Sequence, residues 1–180
     1  MPKDFGIGAS SKRREDVRFL TGAGRYTDDI DLPRQTHVHF LRSDLAHGRI
    51  RAIDTSAAAA MPGVVRIFTG DDFREKGSIP CGWLVTDRHG EPMKEPRHPI
   101  LAEDYVRHVG DPVVAIVAET LAEARDAAEA VVLDIEELPA VVETGSAAGA
   151  TSVVHDEAPD NTVFNWHLGN KDATEAAFKA

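Results

Sequence analysis

With 180 residues, 42% of them hydrophobic and 28% charged, the chain has the composition of a folded domain, and its single cysteine, Cys81, excludes an internal disulfide. The net charge of −10 is uneven: residues 1–97 hold 16 of the 20 Lys and Arg but 14 of the 30 Asp and Glu, which leaves residues 98–180 at −12. That acidic half argues against a nucleic-acid partner, no run of 18 apolar residues offers a membrane span, and the N-terminus lacks a signal-peptide core, so a cytoplasmic location is expected.

Residues 1–17 are polar and carry Gly6 and Gly8, as expected of an arm. The Lys12-Arg13-Arg14 cluster within it is either a solvated face or a docking element for an acidic partner. Gly22 and Gly24 precede Asp28 and Asp29, whose carboxylates readily take up backbone N–H groups, so a tight corner is expected. Thr36, Val38 and Phe40 alternate with Gln35, His37 and His39, the period of a half-buried strand with the histidines as its solvent-facing row. Arg49 to Ile53 predicts a second strand. Asp54 then offers an N-cap carboxylate, Ala57 to Met61 a short helix, and Pro62-Gly63 its end. Val64 to Phe68 is β-branched and aromatic, hence a strand, and Thr69 with Asp72 has the spacing of a capping box.

Residues 77–99 interrupt this pattern with Pro80, Pro92, Pro96, Pro99 and three glycines. Irregular segments of that length are usually functional or docked on something, and Trp83 is the candidate docking residue there. A second strand–helix–strand unit follows. Pro112 to Ala118 is continuously apolar, as in a strand covered on both faces. Thr120 and Glu123 form a T-x-x-E capping box, opening a helix through about Ala130 with Leu121, Ala124, Ala128 and Val131 on its apolar stripe. Val131 to Ile135 exits as a strand. Residues 144–150 suggest a linker or short helix, Thr162 to Leu168 a fresh strand, and Lys171 to Ala180 a helix cut in mid-pattern, as in a fragment of a longer chain.

Chemistry-bearing constellations are weak. His37-x-His39 supplies two imidazoles where zinc needs three or four ligands. Cys81 has no neighbouring base, no G-x-S-x-G elbow exists, and neither Gly6-x-Gly8 nor Gly22-x-Gly24 completes a dinucleotide fingerprint. Asp28/Asp29 and Glu136/Glu137 are adjacent pairs that point opposite ways in extended backbone. No active site assembles from these residues.

The order of blocks is more telling. Arg18-Phe-Leu-Thr-Gly-Ala-Gly-Arg-Tyr-Thr-Asp-Asp-Ile30 is followed by Leu41-Arg-Ser-Asp-Leu-Ala-His-Gly-Arg-Ile50, Ile53-Asp-Thr-Ser56 and Met61-Pro-Gly-Val64. Val106-Arg-His-Val-Gly-Asp-Pro-Val113, Ala118-Glu-Thr120, Ala122 to Ala128, Glu137-Leu-Pro-Ala-Val-Val142 and His155-Asp-Glu-Ala-Pro-Asp-Asn161 complete the series. Across residues 12–180 this resembles the front of the large, molybdopterin-binding subunit of xanthine oxidase-family molybdenum hydroxylases, most of all those of the aerobic carbon monoxide dehydrogenase type.

The resemblance implies an α+β fold: an α/β hammerhead-type domain with a mixed sheet and two short Ala-rich helices, plus the start of a following domain. It implies an arm at 1–17, the hammerhead at 18–143, a linker at 144–160 and the beginning of a molybdenum-cofactor-binding domain at 161–180. A molybdopterin–molybdenum cofactor is implied for the full subunit and none for this stretch, with no catalytic, cofactor or metal residues here. Implied partners are the downstream cofactor domains and the iron–sulfur and FAD subunits. The full enzyme would oxidise a small substrate with water as oxygen source. Family members acting on an aldehyde or an N-heterocycle share this front end. Two further readings are a free-standing α/β binding module and a small enzyme using His89, His98 and Cys81.

Overall fold

The computed structural model describes residues 6, 7, 9 and 12–179, and these divide into two compact units at Gln35/Thr36. The rest of the expected arm, Gly8 of its Gly-x-Gly, and Ala180 of the terminal helix lie outside the described residues.

In the first unit, helix α1 (Asp16–Leu20) ends where the Ala23 N–H reaches back to the Arg18 carbonyl at 2.9 Å and Gly22 takes φ +72°. A left-handed φ of that size suits glycine, which has no Cβ to clash. The expected corner follows. Asp29 Oδ2 accepts the Tyr26 N–H at 2.8 Å, and the Tyr26 and Phe19 rings stack at 5.4 Å. Gly24 lies so close to the Phe19 ring that a side chain there would overlap it.

The second unit has six strands: β1 (His37–Arg42), β2 (Gly48–Asp54), β3 (Val64–Thr69), β4 (Tyr105–Val106), β5 (Pro112–Ala118) and β6 (Val132–Glu137). Helices α2 (Ser56–Ala59), α3 (Gly70–Phe73), α4 (Leu121–Glu129) and α5 (Lys171–Lys179) complete it. The α+β expectation holds, with one correction: the strands form two antiparallel sheets rather than a single mixed one. Odd strands build the first sheet in the order β1-β5-β3, and even strands the second in the order β4-β2-β6. Each predicted strand–helix–strand unit therefore crosses between sheets, β2-α2-β3 one way and β5-α4-β6 the other. The two-residue strand β4 carries too short a pattern to be seen in the sequence.

Local signals place the crossovers. Asp54 Oδ1 accepts the Ser56 N–H at 2.9 Å at the start of α2, and hydrogen bonding by the Ser56 side chain first and its N–H second holds the carboxyl below the ordinary range. At α4, Glu123 N–H donates to Thr120 Oγ1 at 3.2 Å while the Glu123 carboxylate accepts from the Thr120 N–H at 3.0 Å, the reciprocal box expected. Thr69 and Asp72 open α3 through a 2.8 Å bond from the Thr69 N–H to the Asp72 carboxylate.

The core lies where β5, α4 and the second sheet meet. Val114, Ile116 and Ala118 of β5 join Ala124, Ala127 and Ala128 of α4, with Ile50, Ile53, Leu133 and Ile135 against them. Small alanines let α4 approach β5 closely. Leu121 is exposed rather than buried, and the buried stripe consists of Ala124, Ala127 and Ala128.

Strand β1 is reversed relative to expectation. His37, His39 and Leu41 are its more sheltered side, while Val38 and Phe40 are 47% and 43% exposed. Register explains this. His39 and Leu41 pair with Ile116 and Val114, whose side chains enter the core, so Val38 and Phe40 share the opposite face with Ala115 and Val117. Thr162 to Leu168 is also not a strand, because its one backbone bond to residues 77–99, from the Lys94 N–H to the Val163 carbonyl at 2.9 Å, starts no ladder.

Residues 144–160 lie on the body of this unit. Ala158 is buried, Arg107 Nε donates to the Val154 carbonyl at 3.1 Å, and Asn161 acts as a hub. The Asn161 Oδ1 accepts the Val154 N–H and its Nδ2 donates to the carbonyls of Ala147 and Ser152. Its φ of +54° is one that asparagine tolerates better than most side chains. Every described residue of α5 is exposed.

Candidate docking surface

The insertion at 77–99 closes on itself. Asp87 Oδ1 accepts the N–H groups of Glu91 and His89 at 2.9 and 2.7 Å, and the bond from Glu91 does most to hold its carboxyl below the ordinary range. Thr86 bridges Pro92, the Met93 N–H donates to the Val85 carbonyl at 3.0 Å, and the Ile79 N–H to the His98 carbonyl at 2.8 Å at the base. Prolines limit the segment to these few bonds, since each lacks an N–H to offer a ladder.

The insertion is also tied to residues 160–168. Lys94 Nζ meets Asp160 Oδ1 at 2.8 Å, a hydrogen bond that lowers the Asp160 pKa. The Trp83 and Trp166 rings meet edge to face at 5.6 Å and 69°. Such a pair contributes about 0.5–1.5 kcal/mol beyond burial. Even so, Trp83 is 69% and Trp166 44% exposed, and Leu84, Phe164 and Leu168 are exposed as well. Two indoles and three further apolar side chains facing water form the kind of surface that marks an interaction site.

Of the candidate residues, Trp83 is at the centre of this surface. Lys12, Arg13 and Arg14 are exposed residues of the first unit, where the Arg13 carbonyl accepts the Asp16 N–H at 3.4 Å just before α1. Sequence reasoning missed Trp166, Phe164 and Leu168 as members, because their link to Trp83 spans about eighty residues and leaves no local pattern.

Among the described residues no three His, Cys, Asp or Glu side chains converge as a metal site would require. Cys81 is exposed, and its Sγ–H donates to the Trp83 carbonyl at 3.4 Å. Several residues of the resemblance blocks act as pins instead. Ser43 Oγ caps the Leu45 N–H at 3.0 Å, buried His47 meets the Pro139 carbonyl through Nδ1 at 3.0 Å, and Asp111 Oδ2 accepts the Arg107 N–H at 2.9 Å. The Gly110 N–H donates to the Ser43 carbonyl at 2.8 Å and Arg42 Nη1 to the Gly110 carbonyl at 2.8 Å, locking the Leu41–Ile50 and Val106–Val113 blocks together. A second cluster joins Arg74 to Asp71, Asp104 and the buried Glu103, which Arg97 also contacts.

Comparison with known proteins agrees with this architecture. The a/b hammerhead domain of aldehyde oxidase and xanthine dehydrogenase matches residues 21–139. The chain is 39% identical over 170 residues to the nicotine 6-hydroxylase large subunit of Paenarthrobacter nicotinovorans, covering 94% of this chain and 20% of that protein. It is 34% identical over 178 residues to the carbon monoxide dehydrogenase large chain of Hydrogenophaga pseudoflava, covering 92% and 21%. A crystal structure of the Cu,Mo-CO dehydrogenase superposes with a TM-score of 0.68 at 32% identity, covering 97% of this chain and 22% of that one. The chain thus spans about a fifth of the length of the relatives it matches.

Proposed function

Because the chain belongs to the a/b hammerhead family of aldehyde oxidase and xanthine dehydrogenase, we propose that it serves a molybdenum hydroxylase large subunit as a structural and assembly domain. The uncovered apolar surface around Trp83 and Trp166 supports this most directly, since a domain that works alone has no use for two exposed indoles. The occupants proposed are the cofactor-binding domains of the same polypeptide, and beyond them iron–sulfur and flavin subunits. Lys12, Arg13 and Arg14 supply a second, electrostatic contact to an acidic neighbour. The cytoplasm is the proposed compartment; no described helix is long and apolar enough to cross a membrane.

The residues here do not fit a molybdopterin cradle. The buried polar residues Ser43 and His47 use their hydrogen bonds on main-chain partners, the sheltered Glu103 carboxylate is taken by Arg74 and Arg97, and no buried polar side-chain atom among the described residues is left without a partner. No chemical step is therefore assigned to this chain. In the proposed whole enzyme the molybdenum cofactor carries the oxidation of a small substrate, with water as the oxygen source.

Carbon monoxide is the first substrate class proposed, from the likeness to the carbon monoxide dehydrogenase large chain. Hydroxylation of an N-heterocycle is the second, favoured by the higher identity to the nicotine 6-hydroxylase large subunit.

The test is a chimera in which residues 12–179 replace the matching segment of the Hydrogenophaga pseudoflava large chain. The chimera is expected to assemble and retain activity, and Trp83→Arg in it to lower assembly without unfolding the isolated chain. Unaltered assembly of the Trp83→Arg chimera, or substrate turnover by the isolated chain, refutes the proposal.

A further inference from the structure

A cleft of about 330 Å³ opens between the Pro96–Pro99 segment, the Arg107–Asp111 loop and the segment bearing His155 and Val163. Its polar lining is Arg97, His98, Arg107, His108, Asp111 and His155, two guanidinium groups and three imidazoles around one carboxylate. Arg107 is held from two sides. Its Nε donates to the Val154 carbonyl at 3.1 Å, and its guanidinium carbon lies 5.4 Å from the Tyr105 ring centroid. Among the described residues no protein acceptor takes its Nη1 or Nη2, so the paired donors of the fork remain free.

Two carboxylates nearby are already engaged. Asp111 Oδ2 accepts the Arg107 N–H and lies 3.7 Å from His108 Nδ1, and Glu103 is taken by Arg74 and Arg97. Burial pushes the His155 pKa down, and the charge of Arg107 pushes it further, against a smaller opposing effect of Glu157. A positive field therefore reaches the imidazole.

We propose that this cleft binds a small oxyanion between the free Nη atoms of Arg107 and the imidazoles of His98, His108 and His155. A planar guanidinium fork matches the paired oxygens of a carboxylate or phosphate. The inference is independent of the docking role, because no residue of the Trp83 surface lines the cleft. The oxyanion is either a free phosphate-like ion or a carboxylate side chain from elsewhere in the assembly.

Histidine ring resonances of the chain, followed by NMR during titration, discriminate these. Inorganic phosphate is one arm and N-acetyl-aspartate the other, with sodium chloride at equal ionic strength as reference. Saturable shifts of His98, His108 and His155 are expected in at least one arm, with a dissociation constant of about a millimolar or tighter. His37, His39 and His89, which do not line the cleft, stay unshifted. Arg107→Lys keeps the charge but loses the fork and is expected to weaken binding about tenfold. His108→Gln, at an exposed position, gives a folded second variant with weaker binding. Saturation by phosphate assigns a free ion, and saturation by N-acetyl-aspartate alone assigns a side chain. No saturation in either arm, or equal shifts with chloride, overturns the proposal.

Discussion

Replacing Gly70 by alanine probes the junction of β3 and α3. Gly70 is buried, and a Cβ at that position would lie 2.4 Å from the Ala102 carbonyl oxygen and 2.9 Å from both the Ala102 carbonyl carbon and Glu103 Cα. All three are main-chain atoms. They belong to a segment fixed by the 2.7 Å bond from the Ala102 N–H to the Pro112 carbonyl and by the burial of Leu101 and Ala102. Neither side can give way by rotating a side chain. Forcing extra atoms into such a site costs about 1–3 kcal/mol. Alanine gains up to about 1 kcal/mol over glycine in a helix interior, and less in the first turn where Gly70 lies. Net destabilisation of about 1–2 kcal/mol is expected, which for a chain of this size lowers Tm by about 2–8 °C. Urea unfolding followed by circular dichroism measures it as a reduced midpoint at unchanged slope. Gly145→Ala is the matched control: a Cβ there meets no atom within 4 Å, so its midpoint should stay or rise slightly. A Gly70→Ala protein as stable as the parent refutes the close-approach argument.

Other outcomes can be stated more briefly. Thr120→Ala removes the N-cap of α4 and should cost about 1 kcal/mol in urea unfolding. Asn161→Ala deprives Val154 N–H, Ala147 O and Ser152 O of a shared partner and should cost about 1–3 kcal/mol, with faster hydrogen exchange around residues 147–161 as its local signature. Arg74→Gln should lower the urea midpoint at neutral pH, by an amount that shrinks in acid. The Arg74 hydrogen bond is the main cause holding the Asp104 pKa below the ordinary value of about 3.9. That contribution is complete above the unfolded-state value and disappears as pH falls through the depressed folded value, so parent and variant should converge there.

Sequence legibility followed the range of the interactions. The Thr120/Glu123 and Thr69/Asp72 boxes were visible because donor and acceptor lie three residues apart, and the Pro112–Ala118 run because a central strand needs apolar side chains throughout. The polarity of β1 was not visible. Alternation reports a period of two but not which side meets the core, and the pairing of His39 and Leu41 with Ile116 and Val114 decided that. The Trp83–Trp166 pair and the Arg107 cleft were hidden for a similar reason. Each joins segments distant in sequence: Trp83 to Trp166 in one case, residues 96–99 to 107–111 and 155 in the other. What the resemblance blocks supplied was the fold, and their Ser43, His47 and Asp111 proved to be main-chain pins.

Alternation of successive strands between the two sheets has a kinetic consequence. None of the six strands pairs with its neighbour in sequence, so neither sheet can start from a hairpin of its own strands, and β1 must wait for β5, some seventy residues later, to acquire its partner. Closing such large loops before any ladder forms raises the barrier to reaching the native state, which places the domain among slow folders whatever its final stability. While β5 is still being synthesised, β1 and β3 have nothing to pair with, a window in which a nascent chain depends on chaperones or on rapid completion of synthesis.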